Sequence, residues 1–96
     1  MHTVVRNYSG KGAQEMLALL DQHKAELDGI FRGIKGFVSY VAVKTDTGSF
    51  TVTVCETKAG TDESVAKARE WLVKNGASLG LGAPTISEGT VTMHMS

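Results

Sequence analysis

Residues 35–56, KGFVSYVAVKTDTGSFTVTVCE, decide how the rest of this chain is read. Two runs rich in valine, threonine and aromatic residues flank Thr45-Asp46-Thr47-Gly48, a stretch of turn chemistry, so the segment predicts a β-hairpin. With Lys44 opposite Ser49, Val43 meets Phe50, Val41 meets Val52 and Ser39 meets Val54, which gathers the largest apolar groups, with Phe37, on one side. A slip of one residue would mix valines with threonines on both faces. The other side then carries Val38, Tyr40, Ala42 and Lys44 from one strand and Thr51, Thr53 and Cys55 from the next. The first of these strands is apolar on both faces, so both need a cover.

Upstream, HTVVRNY (2–8) reads as a strand that stops at Ser9 and Gly10. From Gly12 the period changes: Ala13, Met16, Leu17, Leu20, Leu27, Ile30 and Phe31 recur at helical spacing and predict one helix, with Ser9 as its N-cap and Gly33 as its stop. Downstream, GTDESVAKAREWLVKNG (60–76) predicts a second helix capped by Thr61. Asp62 and Glu63 lie in its first turn, where the helix dipole favours negative charge, and Lys74 and Asn75-Gly76 lie at its end. Val65, Ala68 and Leu72 are its expected buried stripe, with Trp71 on the flank. ASLGLGAPTISEG (77–89) reads as loop from its glycines and proline, and TVTMHM (90–95) as the closing strand.

The order β-α-β-β-α-β is that of a ferredoxin-like α+β fold: a four-stranded antiparallel sheet with both helices on one face, in a single domain spanning 1–96. The side bearing Phe37, Val41, Val52 and Val54 is expected to meet the helices. Val38, Tyr40 and Ala42 are then left on an open sheet face, where a second copy of the chain is the economical cover. A homodimer through that face follows.

A chain of 96 residues supports only a thin core. Ten basic and ten acidic residues cancel, so no net field draws it to nucleic acid or to an anionic membrane. No apolar run approaches the ~18 residues of a membrane span. One cysteine, Cys55, excludes an intrachain disulfide, and the first residues lack the basic and apolar regions of a signal peptide; a cytoplasmic location is expected.

Motifs for ligand chemistry are sparse. YSGKGAQE (8–15) lacks phosphate-loop spacing and GLGAPT (80–85) lacks the third glycine of a dinucleotide fingerprint, so both read as turns. His2, His23 and His94 have no metal-ligand spacing; neither a metal nor a cofactor is expected. His23 falls on the apolar stripe of the first helix, as a structural histidine would. Cys55 reads as a small buried side chain.

A group of residues remains. Arg6 and Tyr8 alternate with Val5 and Asn7 on the first strand, and a guanidinium is poor company for helices. Arg6 and Tyr8 are therefore expected on the open face with Tyr40, Thr51, Thr53 and Cys55, and His94 joins them by alternation with Val91, Met93 and Met95. Such a set suits a small acidic or phenolic organic ligand; the structural alternative has the same groups hydrogen-bonding across the dimer.

The element order, the Gly36-Phe37-x-x-Tyr40 entry to the second strand and Cys55-Glu56-Thr57 after the third resemble the dimeric α+β barrel superfamily. The likeness is greatest to its antibiotic-biosynthesis-monooxygenase-like domains, particularly small bacterial members without established activity. The resemblance implies two ferredoxin-like subunits paired sheet to sheet, with room for a small molecule between sheet and helices or between sheets. Members range from cofactor-independent monooxygenases and lactone isomerases to proteins without known chemistry. Where such monooxygenases carry a tryptophan and, four residues earlier, an asparagine, this chain has Cys55 and Thr51. The second-helix histidine of haem-degrading members has no counterpart, and Lys35 replaces the proline usual before the glycine. A homodimeric module that binds a small molecule or simply assembles is the favoured expectation. The alternative is a cofactor-independent monooxygenase or isomerase for a small aromatic or lactone-like substrate, with Tyr40 or His94 moving protons and Arg6 orienting an anionic group.

Overall fold

The computed structural model describes residues 1–10 and 12–95. Lys11, within the YSGKGAQE turn, lies outside the described residues. Four strands, β1 (His2–Ser9), β2 (Phe37–Lys44), β3 (Gly48–Cys55) and β4 (Thr85–Thr90), form a sheet in the order β2-β3-β1-β4. Every pairing is antiparallel. Helices α1 (Glu15–Gln22) and α2 (Lys24–Arg32) make the first crossover, and α3 (Lys58–Asn75) with a 3₁₀ turn at Ala77–Leu79 makes the second. This is the ferredoxin-like arrangement with a divided first helix.

The hairpin has the expected register: Lys44 pairs with Ser49, Val43 with Phe50, Val41 with Val52 and Ser39 with Val54. Its orientation is the reverse of that expected. The helices cover the side bearing Val4, Arg6, Tyr8, Ser49, Thr51, Thr53 and Cys55, all buried, while Val41 is 51% exposed. Pairing fixes which residues share a side but not which side a helix will cover, and the assumption that the most apolar side lies beneath the helices fails here. Phe37 departs from its strand mates because a bulge between Phe37 and Ser39 shifts the alternation, and its ring stacks 6.2 Å from that of Phe31. The bare face, opposite the helices, holds Val5, Val41, Val43, Phe50, Val52 and Val54.

Three boundaries also differ from expectation. The first helix begins at Glu15 after Gln14, with no capping bond from Ser9, and is interrupted at His23, whose ring sits edge-on to Trp71 at 5.3 Å. The second begins one turn early. Thr57 caps it by accepting a hydrogen bond from Gly60 N at 3.3 Å, and Thr61 lies inside the helix, its hydroxyl donating to the Lys58 carbonyl at 3.0 Å. Gly60 is required there, because a Cβ at that position would stand 2.8 Å from Cys55 Cβ. The buried stripe rotates accordingly: Thr61, Ser64, Ala68 and Trp71 are buried, and Val65 and Leu72 only partly so.

The third difference concerns the last strand. TISEGT forms β4 against β1, and residues 91–95 carry no regular structure beyond the Val91 N–H that donates to the Met1 carbonyl at 2.9 Å. An edge strand pairs on one flank only, so a segment with weak strand propensity and a charged side chain can serve. Glu88 finds partners across the edge, 3.3 Å from Lys58 Nζ and 3.6 Å from His2 Nε2, while His2 Nδ1 lies 2.8 Å from Thr61 Oγ1. This group fastens β1 and β4 to the start of α3.

Candidate functional site between sheet and helices

Alternation along β1 and β3 brings Arg6, Tyr8, Thr51, Thr53 and Cys55 to one sheet face, with Tyr40 contributed by β2. That face lies beneath the helices. Tyr40 stacks on Phe31 of α2 with ring centroids 4.4 Å apart, and Cys55 packs into the cluster of Leu27, Phe31, Ile34, Ala68 and Trp71. Tyr8 packs with Ala13 and Met16. Six of the seven residues expected at a ligand site therefore share a face. His94 does not join them: it lies beyond β4 and is exposed. Val38, Ala42 and Lys44 edge the same side, lining a groove under α1 and α2 instead of an open patch.

The interior is polar for a core. Arg6 is 3% exposed, and its Nε, together with Thr51 Oγ1, Thr53 Oγ1 and Trp71 Nε1, is buried without a hydrogen-bond partner among the described residues. Buried polar groups usually find partners, because leaving one unmet costs about 1–3 kcal/mol. Three of the four belong to residues that wall a single interior void, Arg6, Thr51 and Trp71. Ser49 is satisfied, donating to the Ala13 carbonyl at 2.6 Å.

Burial pushes the Tyr40 phenol above its ordinary pKa of 10.0; the Arg6 charge and the nearby Thr51 hydroxyl pull it down by less. The phenol is thus held neutral and available as a donor. Burial likewise raises the Cys55 thiol above 9.0, opposed by the Val38 backbone and aided by Glu63, which leaves it a poor nucleophile. Among the described residues, no cluster of three or more His, Cys, Asp or Glu side chains is placed to hold a metal ion, and no helix is long and apolar enough to cross a membrane.

A void of about 10 Å³ lies at the centre, walled by Arg6, Tyr8, Tyr40, Thr51, Phe31 and Trp71, with room for about one water. Larger grooves flank it. One, of about 590 Å³, opens between α1–α2 and β2 and shares Leu20, Leu27, Phe31 and Tyr40 with the void. The other, of about 560 Å³, opens between α3, β4 and the segment joining them, and shares Arg6, Tyr8 and Leu72. The second groove contains Arg69, which the sequence reading missed. Val65, Arg69, Leu72, Val73 and Gly76 recur at helical spacing and line this groove, a signal that was available but polar at its key position.

No protein-family model and no curated protein matches the chain. Solved structures do. A protein of unknown function from Nitrosomonas europaea, NE2512, is 18% identical with a TM-score of 0.70, over 99% of this chain and 91% of that one. The monooxygenase from the ActVA-Orf6 gene of Streptomyces coelicolor, solved in complex with the ligand Nanaomycin D, is 17% identical with a TM-score of 0.65, over 99% and 89%. SnoaB, a cofactor-independent oxygenase from Streptomyces nogalater, is 17% identical with a TM-score of 0.52, over 99% and 94%. The chain has the fold of these monooxygenases. The expected resemblance to the dimeric α+β barrel proteins thus stands at the level of fold. At such identities the chemistry must be read from the residues themselves.

Proposed function

We propose that this chain is a single-domain, cytoplasmic, homodimeric protein that binds a small organic molecule between its sheet and its helices. The observation that carries the reading is the wall of Arg6, Tyr40, Thr51 and Trp71: four polar side chains turned into a covered space, three of them with a buried atom that no protein group satisfies. A structural neighbour solved in complex with a ligand, Nanaomycin D, supports ligand binding as a task this fold can serve. Neither Thr51 nor Cys55 offers the side chains carried there by the resembling monooxygenases, so binding is favoured over oxygenation.

The homodimer rests on the bare face. Six large apolar side chains on one sheet surface form a patch of the kind that marks an interface. A standard interface removes ~800 Å² per partner; at ~25 cal/mol/Å² its apolar half gives roughly 20 kcal/mol against about 4–15 kcal/mol of association cost. A second copy presents the same surface and closes the pair by two-fold symmetry.

Trp71 is the only tryptophan and walls the void between the two grooves, so its emission reports on a ligand that lodges beside that void or widens it. Titration with flat aromatic compounds should shift that emission saturably, and Tyr40→Ala, which removes one wall, should weaken the response about tenfold or more. Unchanged emission across such a panel, with ligands found only at the bare face, would place the site elsewhere.

A further inference from the structure

We propose that the interior selects an anion: a flat apolar body carrying one carboxylate, admitted through the groove between α3 and β4, its carboxylate seated on Arg6 and its approach steered by Arg69. The inference rests on the reading of the interior as a ligand site and adds the charge and the route of entry.

Arg6 supplies the first observation. A guanidinium keeps its charge at any pH a protein meets, and burying a charge without a partner costs several kcal/mol. Yet Arg6 is 3% exposed, and among the described residues no carboxylate pairs with it. Its neighbours in the wall are phenols and a threonine hydroxyl, and Tyr40 is held neutral by burial. The protein has placed a permanent cation under its helices and, among the described residues, supplied no anion for it.

The second observation is the contrast between the two grooves. That under α1 and α2 mixes signs: Asp21 and Asp28 stand among Lys24, Arg32 and Lys44. That beside α3 is lined by two arginines, Arg6 at its floor and Arg69 on the helix, with no acidic residue and otherwise apolar walls such as Leu72, Leu81 and Ile86. Its volume of about 560 Å³ falls within the ~300–1,000 Å³ usual for small-molecule sites. An apolar groove with only positive charge, ending on a buried guanidinium, fits a carboxylate with an apolar body. A carboxylate can meet the guanidinium edge with two parallel hydrogen bonds and satisfy Nε, which otherwise has no partner.

The test compares 2-naphthoate with 2-naphthamide, two probes with the same rings of which only the first is charged, by calorimetric titration and thermal denaturation. Naphthoate should bind about tenfold or more tightly than the amide and raise the melting temperature. Arg6→Met should abolish the preference while melting at or above the unmodified protein, since it removes an unpaired buried charge; Arg6→Gln serves if the methionine variant does not fold. Arg69→Gln, an exposed change, should weaken naphthoate about two- to threefold at low salt and have no effect at high salt. Equal binding of both probes would overturn the inference while leaving the ligand site intact. Failure of both to bind at millimolar concentration would overturn the inference and count against the site as well.

Discussion

Beneath the helices the sheet carries Arg6, Ser49, Thr51 and Thr53, whereas the face turned away from them carries Val5, Val41, Val43, Phe50, Val52 and Val54. In an ordinary two-layer fold the division runs the other way, because the helix layer is the only cover available and apolar groups collect beneath it. The proposed dimer and ligand site would make the inversion intelligible by giving each face a separate employment. A surface that meets another copy of itself must be apolar at its centre. A surface that lines a ligand space must keep polar groups unsatisfied until the ligand arrives, and it can bear that only if other contacts, here Cys55, Phe31, Ala68 and Trp71, hold the layers together.

The most damaging way to break this contrast is to place a charge at the centre of the bare face. Val52→Asp lies on β3, an inner strand, and should cost several kcal/mol of association, leaving monomer or aggregate in sedimentation. The same substitution should leave the secondary structure seen by circular dichroism unchanged, because no helix packs on that face. A dimer of unchanged affinity would remove the bare face from the interface.

A subtler change sharpens the contrast from the covered side. Thr53 Oγ1 is buried and unpaired, yet Thr53 does not wall the void. Thr53→Val should therefore stabilise the fold by about 1 kcal/mol, seen as a higher denaturant midpoint, with ligand binding unaltered. Thr51→Val, one alternation away and in the wall, should alter binding as well. If the two variants behaved alike in both measurements, the void would have no special standing.

The smallest effect at neutral pH belongs to Tyr40. Its folded-state pKa is raised above 10.0, chiefly by burial, so the folded protein favours the neutral phenol. The corresponding stability is fully present below pH 10.0 and is lost as pH rises through the higher folded value. Tyr40→Phe should flatten that alkaline limb in denaturation curves taken across this range, with little change at pH 7. A limb as steep in the variant as in the unmodified protein would assign it to other groups.

Much of this architecture was legible from the residues, and the failures have a common cause. The pairing of Val41 with Val52 and Lys44 with Ser49 follows from a period of two that only one register satisfies. The grouping of Arg6, Tyr8, Tyr40, Thr51, Thr53 and Cys55 follows from the same alternation. What alternation cannot tell is what each side will touch, and the reluctance to place Arg6 under helices sent the whole group to the wrong layer. Gly60 reads as a helix boundary by propensity, but the close approach to Cys55 requires it inside the first turn. His94 was drawn into the site by assigning strand to TVTMHM, whose valine and methionines alternate well; pairing with β1 is instead made by TISEGT. Arg69 was overlooked because a charged residue on a helix ordinarily signifies solvent, and only the groove beside it gives it another meaning.

The inversion of the two faces is tested most directly by the sedimentation-equilibrium mass of the unmodified chain at micromolar concentration. A bare face of six large apolar side chains that exists to meet its own copy predicts twice the chain mass across that range. A soluble species of single chain mass would contradict it, since that surface would then stand in water with nothing to cover it.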